Sequence, residues 1–536
     1  MSQTTVPSPA VTNRAQLLAE LVSLEAVDLV VIGGGASGLG VALDARLRGL
    51  SVLLLESHDF AGGTSSRATK LVHGGVRYLA QGNIGLVREA LHERRALLNN
   101  APHLAQPLAF IMPAYRPWDV PFYGIGLKMY DALAGAASLG KTRCLSKSST
   151  LAQLPGVNAQ HLYGGVKYWD GQFDDARLAL TLARTAAAQG ALLVNYCPAV
   201  DILHEAGRVC GVRWKDGLAA SGQPSEGQVR ARCVINATGV WVDAIRQLDD
   251  AARGQPVRPM VAPSQGVHLV VDRSFLPSDH ALLVPHTRDG RVLFAVPWLG
   301  HVILGTTDTP RDHVEREPHA LAEEAAFILR ESAHVLSRAP QAADVRSVWV
   351  GLRPLVRPDA DAGSTKSISR EHTVRISPSG LVTVTGGKWT TYRAMAEDVL
   401  RHCVQAGQLE PLPRCQTAQF ALLGAPDRQQ PWPSLGASPG LQCYGTEAAA
   451  VQALPGADIE LGLGLTEAMV RYAARYEYAQ TVADVLARRH RMLFLDATLA
   501  AQVAPRVSAI LQQEISSDGD LDAFLVLAAQ YQQVPT

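Results

Sequence analysis

The sequence lacks several features that would narrow its function at once. Lys and Arg number 49, Asp and Glu also number 49, and the formal net charge is therefore zero. A balanced chain has no global field that favours nucleic acid, so any anion-binding site has to be built locally. The seven cysteines are scattered without a C-x-x-C pair, a pattern typical of a reducing compartment and of a protein without structural zinc.

Longer apolar and catalytic patterns are missing too. The sequence contains no run of about 18 apolar residues, so no membrane-spanning helix is predicted. Binding to a membrane surface stays open. Pro7, Pro9 and charged residues interrupt the apolar core that a secretory signal needs, so residues 1–26 are predicted to form a disordered or helical leader. No serine nucleophile elbow, paired acids for glycoside chemistry or histidine spacing for a metal is found, and no metal is expected.

The stretch DLVVIGGGASGLG, residues 28–40, predicts a dinucleotide site. An apolar strand runs into Gly33, Gly35 and Gly38, spaced G-x-G-x-x-G, and a helix follows to about residue 48. Gly33 permits a tight turn, Gly35 lets the backbone approach a pyrophosphate, and Gly38 lets helix and strand pack closely. A second apolar strand ends in Glu56, whose carboxylate accepts hydrogen bonds from ribose hydroxyls. At this point the dinucleotide is either NAD or FAD.

Two later segments favour FAD. VINATGVWV, residues 234–242, is an apolar strand ending in small residues that let the backbone run close to a cofactor. LVTVTGGKWTTYRAMAEDVL, residues 381–400, starts as a strand, breaks at a glycine pair and continues as a helix that Thr390 or Thr391 is expected to cap. A helix start aimed at the pyrimidine end of an isoalloxazine would stabilise negative charge on reduced flavin.

Seven ordered motifs make the chain resemble a known family. The motifs are TSSRATKLVHGGVRYL (64–79), APHLAQPL (101–108), DDARL (174–178), VPWLG (296–300), LGTTDT (304–309), GLRPL (351–355) and GGKWTTYR (386–393). They resemble the FAD-dependent glycerol-3-phosphate dehydrogenases, membrane-associated and quinone-linked members of the D-amino-acid oxidase superfamily. The resemblance runs from about residue 27 to the C-terminus. The calcium-binding loops of the mitochondrial relatives are absent from the sequence.

The resemblance implies three sets of site residues. For FAD it implies Gly33, Gly35, Ser37, Gly38, Glu56, Thr64, Ser65, Ser66, Lys70, His73, Gly74, Ala237, Gly239, Gly387, Lys388, Thr390 and Thr391. For the phosphate of the substrate it implies Arg77, Arg353, Arg370 and Lys388. As catalytic residues it implies His268, Tyr78 and Arg353.

These residue types suit the chemistry that the resemblance implies. Guanidinium groups bind phosphate through two parallel hydrogen bonds, and lysine adds a point charge. His268 lies in a predicted strand and has the intrinsic pKa of a proton acceptor near neutrality, although a core histidine is the alternative. Tyr78 would orient the hydroxyl or the phosphate. His73 is the competing base, but the family packs this segment along the flavin.

The predicted fold class is α/β, with three parts after the leader. A Rossmann-like FAD-binding domain is assembled from residues 27–102, 159–262 and 345–405. Residues 103–158 and 263–344 are expected to form an antiparallel-sheet substrate domain that roofs the flavin. A C-terminal helical domain is predicted over residues 406–536.

The predicted reaction is oxidation of sn-glycerol 3-phosphate to dihydroxyacetone phosphate by hydride transfer to FAD, with electrons passed to quinone. The segment Tyr115–Arg143 combines aromatic and basic residues and suits a face dipped into an anionic bilayer surface, although a helix packed on the substrate domain explains it equally well. The resemblance favours the membrane and implies a peripheral protein on the cytoplasmic face of a bacterial membrane. A homodimer is one expectation for its oligomeric state.

Two alternatives stay open. An oxidase with the same fold would pass electrons to oxygen and release hydrogen peroxide. A flavin-containing tRNA-binding or tRNA-modifying protein would begin with the same glycine pattern, but the balanced charge argues against nucleic acid.

Overall fold

A computed structural model describes residues 12–75, 83–218, 226–251, 258–287, 290–357, 372–427 and 432–536. Its α-helices are α1 (Arg14–Ser23), α2 (Ala36–Leu47), α3 (Ile84–Asn100), α4 (Asp119–Ala134), α5 (Lys147–Gln153), α6 (Asp175–Ala188), α7 (Val242–Ala251), α8 (Ala322–Val335), α9 (Tyr392–Gln405), α10 (Ala448–Gln452), α11 (Glu467–Tyr476), α12 (Met492–Leu495), α13 (Ala497–Ile515) and α14 (Leu521–Gln532).

The strands form a first sheet, a second sheet and a short C-terminal pair. The first sheet contains β1 (Ala26–Ile32), β2 (Val52–Leu55), β7 (Leu192–Val194), β8 (Ala199–Glu205), β9 (Arg208–Lys215), β10 (Glu226–Asn236), β17 (His372–Ile376) and β18 (Val382–Gly386). The second contains β3 (Leu71–Val72), β4 (Ala105–Ala114), β5 (Arg143–Ser146), β6 (Gly164–Phe173), β11 (Val261–Asp272), β12 (Ala281–Val284), β13 (Leu293–Trp298), β14 (His301–Gly305), β15 (Thr309–Pro310) and β16 (Val345–Val356). The pair is β19 (Glu460–Gly462) and β20 (Leu465–Thr466).

The first sheet has a parallel centre in the order β18-β10-β1-β2-β7. Strand β2 and the end of β1 are buried on both faces, as expected of parallel strands covered by helices. Helices α2, α6 and α9 pack together on one face. A Cβ at Gly40 would lie 2.9 Å from the ring of Tyr392, so the glycine in α2 allows α9 to come close. This face agrees with the Rossmann-like fold predicted from the sequence.

The second sheet runs in the order β15-β11-β14-β13-β12-β4-β6-β3, with β16 added beside β11 and β5 beside β6. Its pairs are antiparallel apart from the parallel contact of β12 with β4. The long pair of β11 with β16 brings Ser264 opposite Arg353 and His268 opposite Trp349. This pairing therefore sets two predicted site residues, His268 and Arg353, on neighbouring strands.

Three strands depart from the predicted domain segments. Strands β3, β6 and β16 fall within segments assigned to the FAD-binding domain, yet they lie in the second sheet, where β3 pairs with β6, β6 with β4 and β16 with β11. The chain therefore passes between the two sheets more often than the predicted domain segments imply. The physical reason is that buried strands of either sheet read as apolar runs, so the pattern alone does not assign a strand to a sheet.

The C-terminal helices pack against both sheets. The hydroxyl of Ser347 on β16 donates a hydrogen bond of 2.8 Å to the carbonyl of Leu493 on α12. Helix α6, beneath the first sheet, carries Arg184, whose guanidinium makes two 2.7 Å bonds to the buried carboxylate of Glu447 and one of 3.0 Å to Tyr472. The buried ion pair thus joins the first sheet to the C-terminal helices.

Replacing Glu447 with Gln tests this joint. The substitution leaves the buried guanidinium of Arg184 with only the more distant carboxylate of Glu477, at 3.7 Å, so we expect the free energy of unfolding to fall by about 3 kcal/mol. Urea unfolding followed by circular dichroism measures the change. The matched control is Asp201→Asn, which breaks a pair with Arg213 whose side chains are 40% and 43% exposed and should cost less than about 1 kcal/mol. Equal losses in the two variants would contradict a special role for the buried pair.

Candidate active site

A cleft of about 340 Å³ lies at the carboxyl end of the first sheet and is closed by residues that border the second sheet. Ten of the residues predicted to bind FAD line it: Gly33, Gly35, Ser37, Glu56, Thr64, Ser65, Ala237, Gly239, Gly387 and Lys388. The carboxyl ends of parallel strands with a glycine loop are the usual place for a dinucleotide. The glycine loop, the strand β10 end and the β18 end thus meet in one place.

The glycine loop leaves no room for side chains. The amide of Gly33 donates to the carbonyl of Leu55 (2.9 Å), and Gly33 has a φ of +111°. A Cβ at Gly33 would lie 2.7 Å from the carbonyl oxygen of Ala237, and one at Gly38 would lie 2.0 Å from that of Gly33. Gly35 is the N-cap of α2 and supplies no side-chain cap. The start of α2 is therefore a close backbone cradle suited to a diphosphate.

Glu56 lines the cleft at the carboxyl end of β2. One carboxylate oxygen accepts from the amide of Gly34 (2.7 Å), and the other accepts from the amide of His58 (2.9 Å) and the hydroxyl of Ser57 (3.1 Å). These bonds fix the carboxylate at the end of β2, where it lines the cleft. A held carboxylate at this position has further lone pairs for ribose hydroxyls. The chemistry of this end of the cleft fits FAD.

The start of α9 differs from the prediction. A 3₁₀ turn, Trp389–Thr391, precedes the helix, and Thr391 occupies the N-cap position. Its hydroxyl donates back to the carbonyl of Lys388 (3.2 Å), while that of Thr390 donates to the carbonyl of His73 (3.5 Å). Thr391 therefore stands at the expected helix start, but neither hydroxyl makes a capping hydrogen bond: that of Thr391 holds the turn and that of Thr390 joins it to the segment of His73. The turn still brings Lys388 and Trp389 to the cleft wall.

The remaining predicted FAD residues lie outside the cleft wall: Gly38, Ser66, Lys70, His73, Gly74, Thr390 and Thr391. Lys70 is the most distinctive of them. Its ammonium is fully buried and lies 2.7 and 2.9 Å from the carboxylate of Asp175 and 2.8 Å from the carbonyl of Ser66. Burial and the nearby Arg491 lower the pKa of Lys70 to about 7, and Asp175 opposes this shift. In the structure Lys70 holds the loop that borders the cleft.

His268 lies on β11, 2% exposed. Its Nε2 is hydrogen-bonded to the hydroxyl of Thr69 (2.9 Å), and its ring stacks on that of Trp349 at 4.0 Å. Its Nδ1 has no hydrogen-bond partner among the residues that the structure describes. Burial, Lys70 and Arg353 hold the pKa of His268 well below its usual value. Its surroundings therefore favour the neutral imidazole, since Lys70 and Arg353 both oppose a proton on the ring.

Arg353 lies on β16 with its guanidinium fixed in one plane. It donates to Asp308 (3.1 Å), to the carbonyl of Thr307 (3.0 Å) and to the hydroxyl of Thr306 (3.3 Å). A Cβ at Gly266 would lie 2.4 Å from its Nη2, so the glycine makes room for the group. The side chain remains 26% exposed. Arg353 is thus a positioned cation, and the next residue, Pro354, lines the cleft.

Three predicted residues, Arg77, Tyr78 and Arg370, lie outside the described residues. Two of the cleft residues that were not predicted are notable, Arg316 and Trp241. Arg316 lies 4.5 Å over the ring of Trp241 and donates to the hydroxyl of Ser57 (2.8 Å). Trp241 is the penultimate residue of the segment VINATGVWV, so its place in the cleft was within reach of the motif. Arg316 belongs to no motif, and no signal in the sequence marks it.

The glycine loop at the start of α2, the carboxylate of Glu56 and the second sheet beside the cleft define a flavin-linked oxidoreductase of the dinucleotide-binding class. A profile described as FAD dependent oxidoreductase matches residues 28–398, and one described as the C-terminal domain of alpha-glycerophosphate oxidase matches residues 415–520. The chain therefore belongs to the FAD dependent oxidoreductase family, and FAD is its cofactor.

Individual relatives agree with this assignment. The mitochondrial glycerol-3-phosphate dehydrogenase of Homo sapiens is 41% identical over 94% of this chain and 73% of its own length. That of Arabidopsis thaliana is 39% identical over 95% and 86%. The structure of the glycerol-3-phosphate dehydrogenase from Bacillus halodurans complexed with FAD is 28% identical, with a TM-score of 0.75, and the match covers 98% of this chain and 99% of that one. The family resemblance and the fold class predicted from the sequence are confirmed.

Replacing Gly38 with Ala tests the cradle. The added Cβ would collide with the carbonyl of Gly33, so the loop must open, and we expect FAD to dissociate at least about tenfold more readily. Recovery of free FAD fluorescence on dilution measures this. The control is Gly85→Ala in α3, where nothing lies within 4 Å of the added carbon; tight FAD binding by both variants would contradict the cradle.

Proposed function

We propose that the protein oxidises sn-glycerol 3-phosphate to dihydroxyacetone phosphate. The observation that supports this most directly is a positioned cation, Arg353, whose charge acts on a neutral histidine, His268, and whose neighbour Pro354 lines the FAD cleft. Oxidation of a secondary alcohol next to a phosphate needs an anion clamp and a proton acceptor. Relatives named as glycerol-3-phosphate dehydrogenases cover most of the chain, which supports the same substrate here.

The phosphate clamp contains Arg353 and Lys388, with Arg77 and Arg370 as further proposed members. The guanidinium of Arg353 is fixed by its bonds to Asp308 and Thr307, so little side-chain entropy is lost when it binds an anion. Lys388 lines the cleft just after the glycine pair and adds a point charge. A dianionic phosphate would be held between them, with its carbon chain directed towards the flavin.

His268 is the proposed proton acceptor, with Tyr78 as the residue that orients the hydroxyl. Lys70 and Arg353 lower the pKa of His268, after burial itself. A bound phosphate dianion would offset the charge of Arg353 and raise this pKa again. The histidine thus becomes a better base when the substrate is in place. When bound, FAD supplies the acceptor for the hydride that leaves the carbon bearing this hydroxyl.

Anaerobic mixing with glycerol 3-phosphate, glycerol or D-alanine tests the substrate. We expect flavin absorbance to bleach with glycerol 3-phosphate alone, because the other two lack the phosphate that the clamp holds. Arg353→Lys keeps the charge but loses the two parallel hydrogen bonds of a guanidinium, and should raise the apparent KM about tenfold. Arg338→Lys, at an exposed pair with Asp344, is the control. An unchanged KM in the first variant would remove Arg353 from the clamp.

Quinone at a membrane surface is the proposed electron acceptor. Helix α4 and the residue before it carry four large apolar side chains at helical spacing, each between 54% and 70% exposed: Trp118, Phe122, Ile125 and Met129. Exposed Arg116, Lys128 and Lys141 flank the stripe. An apolar stripe with basic neighbours suits insertion into the boundary of an anionic bilayer. Among the described residues, no helix is long and apolar enough to cross a membrane.

The opposite face of α4 supports electron transfer at this surface. Tyr130 on that face donates to Asp170 (3.0 Å), which also accepts from the amide of Gly74 (3.3 Å). Gly74 belongs to the segment proposed to lie along the flavin. One layer of side chains therefore separates the exposed stripe from that segment. On this proposal the protein is peripheral, on the cytoplasmic face of a bacterial membrane; a homodimer stays a prediction.

The double variant Phe122→Ser with Ile125→Ser tests the membrane proposal. We expect co-sedimentation with anionic vesicles that contain quinone to fall at least about fivefold, with quinone reduction falling in parallel, because the buried apolar area is lost. Val526→Ser, at a 73% exposed valine on α14, is the control. Flavin bleaching by glycerol 3-phosphate should persist in both variants.

The same preparation distinguishes the oxidase alternative. Oxygen uptake without quinone should be slow, and fast release of peroxide would instead favour an oxidase. Unchanged sedimentation of the double variant would contradict the stripe as the membrane surface.

A further inference from the structure

Arg316 lies in the segment between β15 and α8 and reaches across the cleft to the first sheet. Its guanidinium rests on Trp241, 4.5 Å from the ring centre, and donates to the hydroxyl of Ser57. Ser57 follows Glu56, the acid at the carboxyl end of β2, and Trp241 follows the strand β10 end. Arg316 therefore closes the half of the cleft that faces the glycine cradle.

The charge of Arg316 has no carboxylate bound to it within the described part of the chain. Its side-chain hydrogen bond goes to Ser57, while Glu56 is taken up by the amides of Gly34 and His58. Glu317 is paired with Arg67 at 2.5 Å. Burial lowers the pKa of Arg316, and Arg67 adds to the effect, while the nearby carboxylates of Glu56 and Glu317 oppose it. A half-buried guanidinium in this state is stabilised by an anion that it can hold through two hydrogen bonds.

Arg67 fixes the backbone on which Arg316 stands. It comes from the loop whose Thr64 and Ser65 line the cleft. One of its terminal nitrogens donates to the carbonyl of Arg316 (2.9 Å), and the other pairs with the carboxylate of Glu317. Arg67 itself is 6% exposed. The loop that borders the cofactor and the segment that covers it are thus held at a fixed separation.

The C-terminal helix α14 holds the same segment from the other side. The amide of the Gln530 side chain donates to the carbonyls of Glu317 and Pro318, both at 3.4 Å. The hydroxyl of Tyr531 donates to the carboxylate of Glu317 (3.3 Å), and the ring of Tyr531 is 3% exposed and packs edge-on against Phe494. Glu317 is therefore held by hydrogen bonds from Arg67 in the loop that borders the cleft and from Gln530 and Tyr531 on α14.

We propose that Arg316 binds the diphosphate of FAD and that the C-terminal helix positions it there. The glycine cradle supplies backbone amides from one side, and Arg316 supplies a guanidinium from the other. Arg67, Glu317 and Tyr531 are positioning residues, since they hold the backbone of Arg316 and need not touch the cofactor. The proposal deepens the cofactor assignment and does not rest on the identity of the substrate.

Arg316→Gln in the full chain tests the contact. After removal of FAD, we expect the Kd for FAD to rise about tenfold and the Kd for ADP, measured by displacement of FAD, to rise by a similar factor. Riboflavin, which has no diphosphate, should bind as it does to the wild type. Arg316→Lys should give an intermediate value, because it keeps the charge and loses the fork. Arg330→Gln on α8, where the arginine side chain is 57% exposed, is the matched control.

The outcomes separate the parts of the proposal. Wild-type affinity for FAD and ADP in Arg316→Gln would overturn it, as would a loss confined to riboflavin. Circular dichroism and thermal unfolding of the FAD-free variants show whether each has folded.

Tyr531→Phe removes one hydroxyl and tests the positioning step even if the arginine variants prove unstable. It should raise the Kd for FAD about twofold to threefold while the KM for glycerol 3-phosphate at saturating FAD stays unchanged. An unchanged Kd for FAD would remove Tyr531 from the positioning residues. These affinities need no substrate, so their failure is distinct from a failure of the proposed oxidation.

Discussion

Two buried cations share one carboxylate at the point where the three parts of the chain meet. Lys70 lies against Asp175, and Arg491 lies 3.5 Å from the same carboxylate and donates to the carbonyl of Ser66 (2.6 Å). The ammonium of Lys70 also lies 4.6 Å from the ring centre of Trp349. Removing charges from water is costly unless such partners compensate. The FAD loop, helix α6 and the C-terminal helices are therefore fixed together here.

The position of the cleft residues depends on this cluster. The loop from Thr64 to Lys70 runs between the cofactor and the buried charges, so its outer residues line the cleft while its inner end is held by Asp175. The C-terminal helices contribute Arg491 to the cluster and Tyr531 to the segment that carries Arg316. They act as a structural support for the cofactor site, a role that the predicted C-terminal helical domain did not include.

The sequence predicted best what depends on local geometry. Gly33, Gly38 and Glu56 lie within one strand-turn-helix-strand unit, whose tight turn and close packing require glycine at fixed spacing. Residues brought together by tertiary packing were harder to find. The sheet that receives β16 and the role of Arg316 depend on contacts between distant segments. The hydroxyl of Thr391 donates to the carbonyl of Lys388 and makes no capping bond to α9, and the preference of threonine for N-cap positions did not distinguish these two local hydrogen bonds.

The same electrostatics connects substrate binding to proton transfer. Lys70 and Arg353 face His268, and both favour its neutral form. Before substrate binds, this arrangement keeps the histidine unprotonated but makes it a weak base, because a proton on the ring would be repelled. A phosphate held by Arg353 replaces that repulsion with attraction. On the proposed mechanism, a polyol without phosphate would therefore lose affinity and would also leave the base too weak to accept its proton. Discrimination between phosphorylated and unphosphorylated polyols then arises from one ion pair, that of Arg353 with the phosphate, which acts on both binding and proton transfer.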